Sequence, residues 1–156
     1  MMNSAYLSLG SNIEPEKNLP DALKRLSGIV EICGASSVWK TPSVGYDGPN
    51  FLNAVICVNT DLDAHSLKED HLCRIEEEMG RVRVVNKNAP RTIDLDILLF
   101  NDQVMDVMLF KFDHLLLPLS ELVPNLREDP SSLPLIEIAA EYLKSSPATK
   151  IGKLIV

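Results

Sequence analysis

Asp94-Leu95-Asp96, together with the cations that precede it, is the part of this sequence whose residue types and spacing could do chemistry. Between Gly80 and Phe100 the residues Arg81, Arg83, Lys87 and Arg91 occur without an intervening acid, and the two aspartates then sit inside an apolar run. Side chains alternate along an extended strand. Asp94 and Asp96 therefore project to one side with Cα atoms ~7 Å apart, while Ile93, Leu95 and Ile97 face the other way. Like charges held that close raise each other's pKa unless a cation neutralises them. Mg2+ is suited to the task, because it accepts one or two carboxylates and completes its shell with water and phosphate oxygens. Planar guanidinium forks would hold those same phosphates. The expected chemistry is that of a metal-bound polyphosphate. An isolated Asp-x-Asp is more often just the wet face of an edge strand, but the Pro90-Arg91 step and the cationic lead-in shift the balance toward a site.

The surrounding elements must hold that acid pair in place. Ala5 to Leu9 reads as a strand ending at the turn Gly10-Ser11-Asn12. A helix carrying Leu19, Leu23 and Leu26 follows, with Asn18 as its cap and Pro20 in its first turn. Val30 to Trp39 reads as a strand broken by Gly34 and ended by Thr41-Pro42. Ser43 to Asn50 is loop, and Phe51 to Val58 is β-prone. Asp63 caps a second helix with the stripe Leu67, Leu72, Ile75 and Met79, and Gly80 suits the left-handed position after its end. His65 and His71 on this helix read as surface or interfacial residues rather than ligands. The strand Thr92 to Phe100 turns at Asn101-Asp102 into another at Gln103 to Phe112. Helices are expected around Leu119 to Leu122 and Leu133 to Leu143, with an exposed loop from Glu128 to Ser132. Two split strand-helix-strand units predict one α+β domain over residues 1–156, a ferredoxin-like sandwich with a mainly antiparallel sheet and helices packed across it.

Composition narrows the function classes. The chain has 156 residues, enough to bury a substantial core. A net charge of -7 argues against a general nucleic-acid binder, which gains affinity from broad positive surfaces. The positive charge is local, as a small phosphorylated ligand would require. No apolar run approaches a membrane span, and Met1-Met2-Asn3-Ser4 lacks the pattern of a secretory signal, so a cytoplasmic location is expected. Cys33, Cys57 and Cys73 lack metal-ligand spacing and read as small buried apolar side chains.

Several separated motifs resemble those of the 6-hydroxymethyl-7,8-dihydropterin pyrophosphokinase family, enzymes of the folate pathway. They are Tyr6-Leu7-Ser8-Leu9-Gly10-Ser11-Asn12, Ser37-Val38-Trp39-Lys40-Thr41-Pro42, Phe51-Leu52-Asn53-Ala54-Val55 and Arg74-Ile75-Glu76 with Gly80-Arg81-Val82-Arg83. The most specific is Ala89-Pro90-Arg91-Thr92-Ile93-Asp94-Leu95-Asp96-Ile97-Leu98-Leu99. The resemblance implies transfer of diphosphate from Mg-ATP to the hydroxymethyl group of a dihydropterin, releasing AMP, with no dedicated nucleophilic side chain. It implies that Asp94 and Asp96 are carboxylates for two Mg2+ ions, and that Arg81 and Arg91 are catalytic arginines on the triphosphate. Arg83, Lys87, Glu76, Ile97 and His114 would attend the ATP, and Thr41, Pro42, Phe51 and Asn53 would form the pterin pocket. The partners implied are those two small molecules, with neither nucleic acid nor membrane and a monomer as the default.

The sequence also departs from the family pattern. Phe112-Asp113-His114-Leu115-Leu116-Leu117-Pro118 compresses a stretch that usually carries a His-Pro motif, an arginine and a phenylalanine over the second face of the pterin. No arginine occurs between Arg91 and Arg127. The aromatic partner is open between Phe110 and Phe112. Two alternatives follow from this segment: a degenerate relative that binds nucleotide or pterin without turnover, and an enzyme for a modified pterin alcohol.

Overall fold

The computed structural model describes residues 2–43, 48–80 and 92–154. Arg81, Arg83, Lys87 and Arg91 lie outside the described residues, as do the loop positions 44–47.

Among the described residues the centre is a seven-stranded sheet in which every recorded strand pairing is antiparallel. Strand β1 (Asn3–Ser11) lies between β4 (Phe51–Thr60) and β5 (Asp94–Phe100). Strands β2 (Glu31–Ala35) and β3 (Ser37–Thr41) share one edge of β4, and β7 (Thr149–Lys153) extends the sheet beyond β3. The two-residue β6 (Gln103–Val104) borders β5 only at Leu99 and Phe100. With β2 and β3 taken as one bent strand, the order β5-β1-β4-β3 is the ferredoxin-like arrangement expected from the sequence.

Helix α1 (Pro15–Ser27) packs on one face of this sheet. A continuous helical rod does the same; it begins as α2 (Ala64–Ser66), passes through a π-helical turn (Leu67–Leu72) and ends as α3 (Cys73–Glu78). Leu7, Leu9, Ala54, Ile56, Val58 and Leu95 from the strands meet Leu19, Leu26, Leu67, Leu72 and Ile75 there in an unbroken apolar layer. On the opposite face, α4 (Asp113–Leu122) and α5 (Leu135–Leu143) pack Leu115, Leu116, Leu119 and Leu135 against Val55, Leu98 and Leu99. Glu121 of α4 fastens that layer to β3. Its Oε2 accepts from Trp39 Nε1 at 2.8 Å, and its Oε1 accepts from Ser37 N at 3.1 Å and Ser37 Oγ at 2.8 Å.

Several local expectations need correction. Helix α1 starts at Pro15, so Asn18 is an interior residue bonded to the Ile13 carbonyl rather than a cap, and Pro20 lies beyond the first turn. An exposed position lets water satisfy the carbonyl that Pro20 cannot serve. The second strand shifts register against β4 between Ile32 and Gly34, as the glycine suggested, and divides fully at Ser36: Ser36 N donates to the Val55 carbonyl at 2.8 Å, and Ser36 Oγ accepts from Val55 N at 2.9 Å. The long strand expected from Gln103 to Phe112 ends at Val104. Asp106 then accepts from Met108 N at 3.0 Å and starts a 3-10 turn (Val107–Phe110) that buries the adjacent pair Leu109 and Phe110, which strand alternation could not do. Strand β7 carries no burial signal to read, since all five of its residues are exposed. Nor are the cysteines a uniform buried set: Cys33 is exposed, and its Sγ lies 3.5 Å from Cys57 Sγ on the neighbouring strand.

Other local readings hold. Asp63 Oδ1 accepts from Ser66 N at 2.7 Å as the cap of the rod, and Gly80 has φ of 87° after its end. Asn101 and Asp102, with φ of 48° and 68°, form the tight hairpin turn. No described helix is long and apolar enough to cross a membrane.

Candidate active site

Register brings the polar residues together at one end of the sheet. Asp94 stands opposite Gly10, which stands opposite Asn53, which in turn faces Trp39; one rung further along, Asp96 stands opposite Ser8 and Ser8 opposite Val55. Because side chains alternate, these positions share the face carrying α4 and α5, while Leu9, Ala54 and Leu95 point into the apolar layer behind. The helices seal that face only in part. At the strand ends near the start of α4, a cleft of about 220 Å³ remains.

The walls of this cleft have two chemical characters. One side holds Thr41, Pro42, Phe51 and Asn53. Asn53 is buried, and its Nδ2 donates to Thr41 Oγ1 at 2.8 Å, which fixes the amide against the side-chain hydroxyl rather than its own backbone. Gly10 makes room for it, since a Cβ there would stand 3.0 Å from Asn53 Oδ1. The other side holds Asp94, Asp96, Asp106, Phe112 and His114. Phe112 stacks on His114 with ring centroids 5.5 Å apart and planes 20° from parallel. Of the two phenylalanines left open by the sequence, Phe110 is buried in the core beneath α4 and Phe112 lines the cleft.

Asp96 also borders a second, shallower cleft of about 540 Å³, with Ile97, His65, Lys68 and Asp106 among its walls. This cleft runs along the outer edge of β5. There the Leu95 backbone is held by side chains instead of another strand: its N–H donates to Glu76 Oε2 at 2.9 Å, and its carbonyl accepts from Lys68 Nζ at 2.7 Å. Both polar groups of an edge residue are thereby satisfied. Lys68 reaches Asp96 as well, with Nζ 2.8 Å from Oδ1.

The electrostatics follow from this packing. Burial raises the Asp96 carboxyl above the usual carboxylate range and the charge of Asp94 raises it further, against the opposing pull of Lys68. Burial lowers the Lys68 ammonium, but its hydrogen bond to Asp96 and the charges of Asp96 and Glu76 outweigh that and raise it. Burial holds His114 below its ordinary value despite the surrounding aspartates. Asp96, raised by burial and already paired with one cation, stands beside a second carboxylate, and two such oxygen donors are a suitable set for a divalent metal. No cluster of three or more His, Cys, Asp or Glu residues among those described could hold an ion alone. A metal here would need water or substrate oxygens to complete its shell.

The structure thus gathers Asp94, Asp96, Thr41, Pro42, Phe51, Asn53 and His114 around one cleft and places Ile97 in the adjoining one. Glu76 lines neither; it is buried behind β5 and acts on the strand backbone. Lys68, Asp106 and Met108 were missed. The signal for Lys68 was the five-residue gap between Leu67 and Leu72, too wide for an α-helical stripe and matched to the π turn that carries it.

Comparison with known proteins places this geometry. Residues 6–124 match the family model described as 7,8-dihydro-6-hydroxymethylpterin-pyrophosphokinase. The 2-amino-4-hydroxy-6-hydroxymethyldihydropteridine pyrophosphokinase of Pseudomonas aeruginosa is 37% identical over 139 residues, covering 81% of this chain and 85% of that protein. The Haemophilus influenzae protein of the same name is 34% identical, with 98% and 99% covered. Among solved structures, the wild-type HPPK-DHPS of Plasmodium falciparum superposes with a TM-score of 0.74 at 15% identity over 92% of this chain, a likeness of fold alone. The present chain spans 42% of that longer one.

Proposed function

The chain belongs to the 7,8-dihydro-6-hydroxymethylpterin-pyrophosphokinase family, and on that premise we propose that it moves diphosphate from ATP to the hydroxymethyl oxygen of 6-hydroxymethyl-7,8-dihydropterin in folate biosynthesis. The hydroxymethyl oxygen bonds to the β-phosphorus, the bond from that phosphorus to the bridging oxygen of the α-phosphate breaks, AMP leaves, and the hydroxyl proton passes to water.

The observation that carries this reading is the position of Asp96, which borders both clefts. A flat pterin would lie in the first, against Phe51 and Phe112, with the Asn53 amide and Thr41 hydroxyl at its polar edge. The nucleotide would lie in the second, along Ile97, bringing its phosphates to the acid pair. Asp94 and Asp96 would hold Mg2+, two ions in the fullest form of the proposal, and bound metal would neutralise charge on the transferred group. Positioning and electrostatic clamping then carry most of the rate enhancement, so no nucleophilic side chain is required. Phe112 supplies an aromatic wall where the shortened segment had left one in question. That favours turnover over a binding-only relative. The protein is further proposed to act as a single-domain monomer in the cytoplasm.

The test is AMP release from Mg-ATP on addition of the hydroxymethyl dihydropterin. Purified protein should release AMP and form the diphosphorylated pterin, and Asp96→Ala should not. Folded protein that binds both ligands yet releases no AMP would refute turnover, and a strong preference for another pterin alcohol would reassign the acceptor.

A further inference from the structure

Lys68 belongs to none of the motifs that identify the family, yet it makes the closest cationic contact with the acid pair among the described residues. Its Nζ donates to Asp96 Oδ1 at 2.8 Å and to the Leu95 carbonyl at 2.7 Å. The π-helical turn from Leu67 to Leu72 widens the helix by one residue just where Lys68 leaves it; Leu67 and Leu72 stay buried while Lys68 turns to the edge of β5. Its side chain retains 29% exposure, Asp96 retains 43%, and both border the second cleft. The ammonium and the carboxylate it holds therefore face the same cleft. A lysine used only to close the strand edge would need the Leu95 carbonyl alone.

Given Mg-ATP as the substrate proposed above, we infer that Lys68 is a displaceable counterion and a phosphate-binding residue. In the nucleotide-free protein it neutralises and orients Asp96. When metal claims that carboxylate, the ammonium loses its partner beside a cleft about to receive a polyphosphate, and a short rotation of its flexible stem turns it onto a phosphate oxygen. The same charge then opposes metal binding before the nucleotide arrives and favours nucleotide binding afterwards, coupling the two events. The cation helps to compensate for the absence of any arginine between Arg91 and Arg127.

Two binding measurements on the full chain test this: Mn2+ alone titrated into nucleotide-free protein and followed by electron paramagnetic resonance, and magnesium α,β-methylene-ATP followed by calorimetry. Lys68→Met should bind Mn2+ about fivefold more tightly, the size of a part-exposed ion pair removed as a competitor. It should bind the nucleotide analogue about tenfold more weakly, as expected for a lost charge-assisted hydrogen bond. Lys68→Gln, which can still donate to the Leu95 carbonyl, should shift both affinities in the same opposite directions. If either variant changes only thermal stability, or weakens both ligands together, Lys68 is structural and the assignment is overturned. Failure of the underlying reading looks different: the unsubstituted protein would then bind no nucleotide analogue, and the inference would fall with it.

Discussion

The two faces of the sheet are built from the same strands and do opposite work. Behind β1, β4 and β5, the residues Leu7, Leu9, Ile56, Val58 and Leu95 are buried against α1 and the helical rod, with the buried Glu76 carboxylate serving the β5 backbone at the edge of that layer. One position along each strand, Ser8, Asn53, Asp94 and Asp96 look the other way into a cleft that α4 and α5 leave open. A period of two thus separates a layer that stabilises from a layer that binds. The closed face keeps the strands in register, and the register brings carboxylates, amide and aromatic rings to one place. Substitutions one residue apart should therefore fail in different ways.

The largest expected effect is on the open face. Asp96→Ala should lower AMP release about a thousandfold, since metal stabilisation of transition-state charge is worth several kcal/mol. Its midpoint in urea should stay close to the parent's, and a collapse of the fold would mean that the acid also serves the core. Next is Leu7→Ala on the closed face, where a fully buried leucine lies opposite Ile56 and Ile97. It should cost about 3 kcal/mol of stability. Activity per folded molecule should survive, and a change in KM for either substrate would show that the faces are not separable.

Phe112→Ala sharpens the comparison within the open face. The residue is 48% exposed, so loss of its ring should spare stability while raising KM for the pterin about fivefold, a typical aromatic contribution. An unchanged KM would leave Phe51 as the only aromatic wall in use. The smallest effect concerns protons. Burial depresses the His114 pKa below its ordinary 6.5, so the unfolded chain takes up a proton there before the folded one does. The stability His114 contributes is therefore complete above that value and declines as pH falls through the window beneath it. Urea midpoints at about pH 7.5 and about pH 5.5 should differ less for His114→Asn than for the parent protein.

The comparison also separates what could be read along the chain from what could not. Asp94 and Asp96 were legible because two positions on a strand share a face whatever else happens. The left-handed Gly80, the hairpin at Asn101-Asp102 and the Asp63 cap were legible for a similar reason, since each depends on a few neighbouring residues. Elements governed by distant partners were not. Strand β7 exists because it pairs with β3, and all five of its own residues remain exposed. Residues 103–112 looked like a strand but turned into a 3-10 segment, because Asp106 caps it and two adjacent side chains both find the core.

By itself the sequence determined the family, the order of the main elements and the identity of the acid pair, all properties of residue type and local spacing. Tertiary structure decided that Phe112 rather than Phe110 lines the cleft, that Glu76 supports β5 from behind, and that Lys68 meets Asp96 across 28 positions of chain. Those outcomes depend on which surfaces strand register and helix packing bring together. A short-range pattern records a residue's face, whereas its partner is set by the rest of the fold.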